Sequence, residues 1–401
     1  MARPYAVLPA RLLARLSAFI GALLLSACAT PPPAPLPSGL LDDTLFTPPA
    51  KRIDAAAAMA LTPAMQRYLD DEVLPLARSK GLQQALIEQL FAKGKLRLDY
   101  DATMTRSASE AFEARAGNCL SLVMMTATLA QQLGLEVHFQ SVPVDDAWER
   151  SGNLHFLVGH VNLVLGPRPV SRMSWSSGER LVIDFVPGAR GFGAVPIARE
   201  RVLAMYLNNK AAESLALGQV DEAYAWVRAA VLHDPQYTAA LNTLGVIYQR
   251  RGGMAQAERA LRHVLALEPR NVHAMGNLVL ALQRQGRDAE SLVLAAELRR
   301  LQPVAPFEDF KAGMTAMQAS DFHAARQHFE REIRRSPDYH ESHFWLAVAL
   351  AQLGDAAGAR KHLQQALDKS TTREQGAIYA GKLQRLKAQS TAGAELASPR
   401  L

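Results

Sequence analysis

Cysteine, long apolar runs and clustered charge are all scarce in this chain of 401 residues. Only two cysteines occur, Cys28 and Cys119, and no second cysteine lies near the latter. Among the histidines of residues 55–203, only His155 and His160 stand at metal-ligand spacing, and a zinc site would not usually take that pair alone. We therefore predict no metal site and no cofactor.

Charge is spread rather than concentrated. The net charge is +6, but the arginines are scattered along repetitive helical segments and no nucleic-acid-binding motif is present. A solvated helical surface is favoured over a nucleic-acid partner. With 49% apolar and 20% charged residues, the composition is that of a globular protein rather than a disordered one.

The N-terminus has the features of an export signal. Arginines precede a short apolar run, Leu16 to Leu25, which is shorter than the ~20 residues that span a bilayer. The run ends in Leu25-Ser26-Ala27-Cys28, which resembles the lipobox of bacterial lipoproteins. The resemblance implies a signal peptide over residues 1–27 and lipidation of Cys28. Residue 29 is Ala and not the Asp that retains lipoproteins at the inner membrane. The resemblance therefore favours an outer-membrane lipoprotein facing the periplasm.

Residues 28–54 follow as a predicted tether. The stretch 31–50 is rich in proline, so we expect an extended segment that builds no core. If Cys28 is lipidated, Cys119 is a single unpaired thiol, which is unusual in an oxidising compartment.

Residues 55–203 mix helix and strand signals and predict an α+β unit. Lys80-Gly81 divides a helical stretch over residues 61–93, and Ser107 with Glu110 forms a capping-box pattern. A nearly all-apolar helix runs from Cys119 to Leu133 and ends at Gly134. The strand-like runs are 96–100, Glu136–Val142, His155–Leu165 and Leu181–Val186.

Three residues of this unit could form a nucleophile, a base and an orienting acid: Cys119, His160 and Asp184. Cys119 is predicted in the first turn of the buried helix, with Asn118 as its N-cap, where the helix dipole favours a thiolate and free N–H groups can hold an oxyanion. His155 competes with His160 as the base, but its apolar strand favours a packed core residue. His138 is taken as structural.

These residues resemble the transglutaminase-like superfamily. Gly117-Asn118-Cys119, His160-Val161-Asn162-Leu163 and Asp184 match its motifs in order, over roughly residues 95–190. The resemblance implies a papain-like α+β fold in which Cys119 is the nucleophile, His160 the base and Asp184 the group that orients it. Asn118 is a candidate oxyanion group. Asn162 and Phe185 depart from the family, which has an aromatic residue and proline there.

From residue 204 the chain repeats itself with a period of 34. The period connects Pro235, Pro269, Pro303 and Pro337, and also Gly218, Gly252, Gly286, Ser320 and Gly354. Leu241, Leu244-Gly245, Tyr248, Ala257 and Pro269 resemble the tetratricopeptide (TPR) pattern. The resemblance implies five repeats over 204–373, forming an all-α solenoid, with a capping helix and disordered tail over 374–401.

The repeats imply a protein or peptide partner held on their concave face. The candidate lining residues are Asn208, Asn242, Arg250, Gln283, Arg284 and Phe310. Two functions are consistent with the sequence. One is a membrane-anchored, thiol-dependent amide hydrolase or acyl transferase, with hydrolysis favoured, whose repeats recruit the substrate or a partner. The other is a non-catalytic TPR adaptor or scaffold lipoprotein of an envelope complex.

Overall fold

A computed structural model describes residues 36–49, 52–91, 96, 98–102, 104–142, 148–151, 154–157, 159–167, 180–185 and 193–397. The predicted signal peptide and Cys28 lie outside the described residues. From Ser38 onward the chain forms one compact unit. No helix within the described ranges is both long enough and apolar enough to cross a membrane.

The first helices of the chain lie before and after the break predicted at Lys80-Gly81. Helix α1, Pro63–Tyr68, continues through a π-helical turn, Leu69–Val73, into α2, Leu74–Lys80. Thr62 caps α1 with its side chain, and Gly81 ends α2 at φ +81°, a conformation that glycine adopts without strain. Helix α3 spans Leu82–Phe91. The break predicted at Lys80-Gly81 is confirmed.

The next two helices lead to the thiol. Helix α4, Ala108–Ala114, begins with the complete capping box of Ser107 and Glu110, as predicted. The short strands β1, Asp99–Tyr100, and β2, Ala116–Gly117, pair in parallel on either side of it. Helix α5 is Cys119–Gln132, and every residue from Cys119 to Ala130 is buried. This burial explains why the sequence of α5 has no polar face.

A four-stranded antiparallel sheet, in the order β7-β6-β3-β8, packs on α5. The strands are β3, Glu136–Val142, β6, His160–Gly166, β7, Leu181–Ile183, and β8, Val195–Ile197. Strand β6 is buried along its whole length and lies at the centre with β3. In the register of β3 and β6, Val142 lies opposite His160.

The single strand predicted over His155–Leu165 is wrong in one respect. The backbone forms two strands, because Leu154–Leu157 (β5) pairs with Trp148–Ser151 (β4) in a separate hairpin while β6 joins the main sheet. Strand β8 was not predicted. Its three residues are too few to show an alternating pattern.

Five antiparallel helix pairs follow, and the second helices of successive pairs begin at intervals of 34 residues. They are α6 Arg199–Ala216 with α7 Val220–His233, α8 Thr238–Arg251 with α9 Met254–Leu267, α10 Val272–Arg284 with α11 Asp288–Leu301, α12 Glu308–Gln318 with α13 Phe322–Arg335, and α14 His340–Gln352 with α15 Ala356–Asp368. Each pair turns at a residue with positive φ, and Ser320 takes this conformation at φ +59° in the fourth pair.

Small residues allow the helices of a pair to approach closely, as the sequence predicted. Ala223, Ala257 and Ala325 are fully buried. A Cβ atom at Gly245 would lie 2.7 Å from the side chain of Leu261, and one at Gly313 would lie 2.7 Å from the ring of Phe329. The repeat spacing therefore follows from the packing of paired helices.

The chain ends in a longer helix than expected. Helix α16 spans Arg373–Ala397, which extends into the tail predicted to be disordered. Its Tyr379 and Leu383 are buried against α14 and α15, so α16 covers the apolar face of the last pair. This helix therefore lies where the sequence predicted a cap on the last pair, and it extends as far as Ala397.

The predicted tether is also corrected, because Ser38–Thr47 packs on the first two helix pairs. The ring of Phe46 stacks on Tyr224 at 3.8 Å, and Leu40 is buried. Tyr248 donates a hydrogen bond to the Leu40 carbonyl, and Asp43 accepts hydrogen bonds from Tyr224 and Arg228. Apolar residues between the prolines supply enough burial to hold this segment, which we call the strap.

Candidate functional site

Cys119 is the first residue of α5, in the position that the sequence predicted. The Asn118 side chain caps the helix by accepting a hydrogen bond from the Ser121 amide at 2.9 Å. Gly117 is required here, since a Cβ atom on it would lie 2.7 Å from Ser121 Cβ. The thiol is 6% exposed, and its sulfur lies 3.9 Å from the carbonyl oxygen of Gly159. The fold therefore brings the thiol beside the start of β6.

His160 and Asp184 form a close pair at the neighbouring strand ends. His160 begins β6, and Asp184 follows the last residue of β7. The Nε2 atom of His160 lies 2.8 and 2.9 Å from the two carboxylate oxygens of Asp184, and the imidazole is 4% exposed. Asn162, two residues along β6, donates a further hydrogen bond to Asp184 at 3.3 Å. A carboxylate held at Nε2 fixes the ring orientation and its tautomer.

Asn118 does not have the side-chain freedom that an oxyanion donor needs. Its Oδ1 accepts from the amide and the hydroxyl of Ser121, and its Nδ2 donates to Thr105 Oγ1 at 2.9 Å. Both ends of the amide are therefore engaged. The structure supports Asn118 as the helix cap and gives no support to its predicted oxyanion role.

Thr105 connects the thiol's helix to the first helix pair, a connection that the sequence did not suggest. Its hydroxyl also accepts a hydrogen bond from Asn209 on α6 at 3.2 Å, and its amide donates to Glu213 on the same helix. Lys210 in turn binds Glu213 at 2.8 Å. These contacts span more than a hundred residues of sequence, so no local pattern could have revealed them.

One groove, of about 1720 Å³, runs from the thiol along the helix pairs. Asn118, Cys119 and Gly159 line one end, and residues of α6, α8 and α10 line the rest as far as Glu308. Beside the thiol the groove is lined by Tyr100 and Ala102, and the Ala102 amide donates to the carbonyl of Thr371 after the last helix pair. The thiol and the helix pairs therefore share a single concave surface.

Four of the six predicted lining residues face this groove: Asn208, Asn242, Arg250 and Arg284. Gln283 is exposed but is not among the lining residues, because it is adjacent to Arg284 and successive helical residues point about 100° apart. Phe310 is wrong as a lining residue. It is 2% exposed and packs between Phe329 and Tyr339 in the core of the fourth pair.

Other lining residues were missed, and several of them carry side-chain amides. Asn277 donates to Asn242 Oδ1 at 3.0 Å, and Gln249 donates to the Asn277 carbonyl at 2.7 Å. Asn208 Oδ1 is buried and has no hydrogen-bond partner among the described residues. The side chain of His155 lies outside the described part of the structure, and His138 is half-exposed and binds Glu136 at 3.0 Å.

A family model described as tetratricopeptide repeat matches residues 242–306 and 310–374. The C-terminal region contains TPR repeats. The matched stretches begin within α8, so the pair α6 and α7 lies before them. No curated protein matches the sequence.

Solved TPR structures resemble part of the chain. TTC0263, a TPR protein from Thermus thermophilus, is 20% identical, with 45% of this chain and 98% of that one covered and a TM-score of 0.28. YrrB, described as a TPR protein with an unusual peptide-binding site, is 18% identical over 45% of this chain and 92% of that one, with a TM-score of 0.25. PilF from Pseudomonas aeruginosa is 20% identical over 47% and 91%, also with a TM-score of 0.25.

Within the TPR region the groove is lined mainly by the first helices of the first three pairs. Residues of α8 and α10 line it, whereas the strap packs on residues of α7 and α9 and on Tyr248. The concave face is therefore open to a partner, and the outer face of the first two pairs is partly covered by the chain itself.

Proposed function

We propose that this protein binds an extended segment of a protein or peptide in the groove of its TPR region. The observation that carries the proposal is the continuous concave groove lined by the first helices of successive pairs. The family match over residues 242–374 supports protein or peptide binding as the use of this surface. The second function consistent with the sequence, a non-catalytic adaptor or scaffold, needs this groove and does not need the thiol.

The chemistry of the lining suits a peptide backbone. Asn208, Asn242, Gln249 and Asn277 present amide groups, which can both donate to carbonyls and accept from N–H groups.

Selection from an unbiased peptide library displayed on phage tests the proposal. We expect sequences to be enriched on the full chain and lost on Gly276→Leu, which fills the groove from α10. The nearest atom to a Cβ at Gly276 is 3.8 Å away, so a side chain can begin at this position without a clash. Gly381→Leu is the matched control, because nothing lies within 4 Å of its Cβ and it is outside the groove. Enrichment that survives Gly276→Leu would place the binding elsewhere.

We propose thiol chemistry as a second function of the same site, in a transglutaminase-like α+β domain over residues 55–203. The paired His160 and Asp184 beside the start of β6, and the thiol at the N-terminus of α5, favour it. In this proposal Asp184 holds Nε2–H of His160, and the Nδ1 atom takes the thiol proton. The Cys119 sulfur attacks an amide carbonyl and forms a C–S bond.

The reaction would then finish in two steps. His160 gives its proton to the amide nitrogen as the C–N bond breaks, which leaves a thioester on Cys119. A water molecule, deprotonated by His160, hydrolyses the thioester and restores the thiol. An amine in place of water would give acyl transfer, and we favour hydrolysis because water is always present.

Alkylation of Cys119 by iodoacetamide tests this second function, in a Cys28→Ala form that has a single thiol. We expect rapid labelling at neutral pH, marked slowing by His160→Ala and an intermediate loss in Asp184→Asn. His155→Ala is the matched control and should have no effect. Slow labelling that ignores His160→Ala would remove the catalytic proposal and leave the binding function intact.

We also propose that the chain is a lipoprotein of the outer membrane, facing the periplasm and anchored through Cys28. The lipobox-like Leu25-Ser26-Ala27-Cys28 supports this proposal. The Cys28→Ala change should leave an uncleaved precursor or release a soluble periplasmic protein. If that variant matures and fractionates with membranes as the unaltered chain does, the anchor is not at Cys28.

A further inference from the structure

Two arginines of the groove occupy equivalent positions in consecutive repeats. Arg250 lies in the last turn of α8 and Arg284 in the last turn of α10, and 34 residues, one full repeat, separate them. Both side chains are exposed and line the groove. Across the described ranges neither guanidinium has an ion-pair or hydrogen-bond partner.

Other charged residues of the groove have partners within the chain. Glu213 binds Lys210, Glu268 accepts from Thr238 and Asn271, Glu308 accepts from the Ala305 amide, Glu222 accepts from Trp226, and Arg299 donates to the Ala295 carbonyl. Arg250 and Arg284 are thus the charged groove residues that have no partner of any kind in the described part of the structure.

The neighbouring Arg251 shows that an arginine in the last turn of this helix does not lack a partner simply because of its place there. Arg251 lies in the same last turn, so both cations interact equally with the C-terminal end of the helix dipole. Arg251 points away from the groove and binds Asp221 at 2.6 Å and the strap carbonyl of Leu45. Arg251 on the outer face of this repeat therefore has partners within the chain, whereas Arg250 in the groove is exposed.

We infer that the segment bound in the groove is acidic and that its carboxylates pair with Arg250 and Arg284. The inference rests on the proposed binding function and names the class of partner. Helices α8 and α10 contact each other, and helices in contact lie about 8–10 Å apart. An extended peptide rises about 3.3 Å per residue, so acidic residues about three positions apart would reach both arginines. Asn242 and Asn277 line the groove about two turns earlier on the same two helices.

Fluorescence anisotropy with defined peptides tests the inference on the full chain. The probes are fluorescein-labelled ten-residue Gly/Ser peptides that carry two Glu residues three positions apart, or Gln at the same two positions. We expect the Glu peptide to bind about tenfold tighter or more, since hydrogen bonds between charged groups are worth more than neutral ones. The difference should shrink as salt is added.

Arginine variants assign the effect to the groove. Arg250→Gln and Arg284→Gln remove the positive charge and keep a polar side chain with N–H donors, and each should remove most of the preference for Glu. Arg270→Gln and Arg334→Gln are matched controls, because both residues are exposed and lie outside the groove lining. Equal binding of the Glu and Gln peptides, or a preference that persists in both groove variants, would overturn the inference.

The phage selection described above separates this failure from failure of the proposed function. Enriched sequences without acidic residues, whose binding survives Arg250→Gln and Arg284→Gln, would overturn the acidic partner and retain the binding groove. No enrichment at all would overturn both. Acidic sequences that are lost only on the groove variants would support both.

Discussion

The TPR region and the unit before it position their residues in different ways. In the repeats, each helix packs mainly on its neighbours in sequence, through small residues such as Ala257 and Gly245. In the preceding unit, His160 reaches Asp184 from another strand, and Asn118 reaches Thr105 across a helix. Stability in the repeats is therefore a sum of local interfaces, whereas the thiol site depends on several contacts that are distant in sequence.

The two regions meet at Thr105. Its hydroxyl accepts hydrogen bonds from Asn118, which caps the thiol's helix, and from Asn209 on α6. A change in the later repeats should thus remain local, and a change near Thr105 should affect the thiol.

Removing a core aromatic from the repeats should have the largest effect. Phe329 is fully buried between Gly313 and Phe310, so Phe329→Ala should reduce the free energy of unfolding by about 3–5 kcal/mol. Urea unfolding measures the loss. Hydrogen exchange should localise it to α12, α13 and their neighbours. The labelling rate of Cys119 should stay unchanged.

Leu292→Ala in α11 is the control for that change, because its side chain is 63% exposed and should cost little. A clear change in Cys119 labelling on Phe329→Ala, under conditions in which the protein remains folded, would show that the repeats do not behave as local units.

Two matched helix caps offer a sharper comparison of intermediate size. Asn118 caps α5 and Asn271 caps α10, each by accepting a hydrogen bond from a backbone amide at 2.9 Å. Replacing either with Ala should cost about 1 kcal/mol, the usual value of an N-cap. Only Asn118→Ala should change the rate at which iodoacetamide labels Cys119. If Asn271→Ala alters that rate equally, the thiol responds to overall stability and not to its own cap.

The smallest expected effect is a pH dependence confined to the last repeats. Burial lowers the pKa of His362 to about 4, with the adjacent His343 contributing, and burial lowers the pKa of His343 as well. The Nδ1 atoms of the two residues are 3.2 Å apart. Since the unfolded chain takes up protons below an ordinary value of about 6.5, stability should be complete above that pH and fall as the pH approaches 4.

Thermal melting at pH 7.5 and pH 5, followed by hydrogen exchange, measures this dependence. Protection of α14 and α15 should weaken first at the lower pH, and His362→Asn should reduce the difference between the two melting temperatures. The same pH dependence in His362→Asn would assign the effect to other groups.

How much could be predicted from the sequence also differs between the regions. Because the pattern recurs every 34 residues, each repeat supports what is predicted from the others. The positions of the turns and of the buried small residues could therefore be predicted from the sequence. Position 310 is equivalent to Asn242 by the period of 34, but its ring packs against Phe329 and Tyr339 in the core of the fourth pair. The period alone does not show this packing.

The unit before the repeats contains each motif once, and its local signals were the most dependable. The cap at Asn118 and the capping box at Ser107 follow from neighbouring residues. The connection through Thr105 and the docking of the strap on Tyr248 could not be predicted, because they join residues more than a hundred positions apart.

The central claim is that the groove of the TPR region and Cys119 form one site. Peptides enriched on the full chain, each carrying a chloroacetyl group at one end or the other, test it most directly in the single-thiol Cys28→Ala protein. Binding should bring the electrophile to an effective concentration in the millimolar range, so Cys119 should be alkylated at a saturable rate far above that of free chloroacetamide. Gly276→Leu should remove this advantage, and Gly381→Leu should not. Alkylation no faster than with chloroacetamide, from either end of the peptide, would contradict the claim.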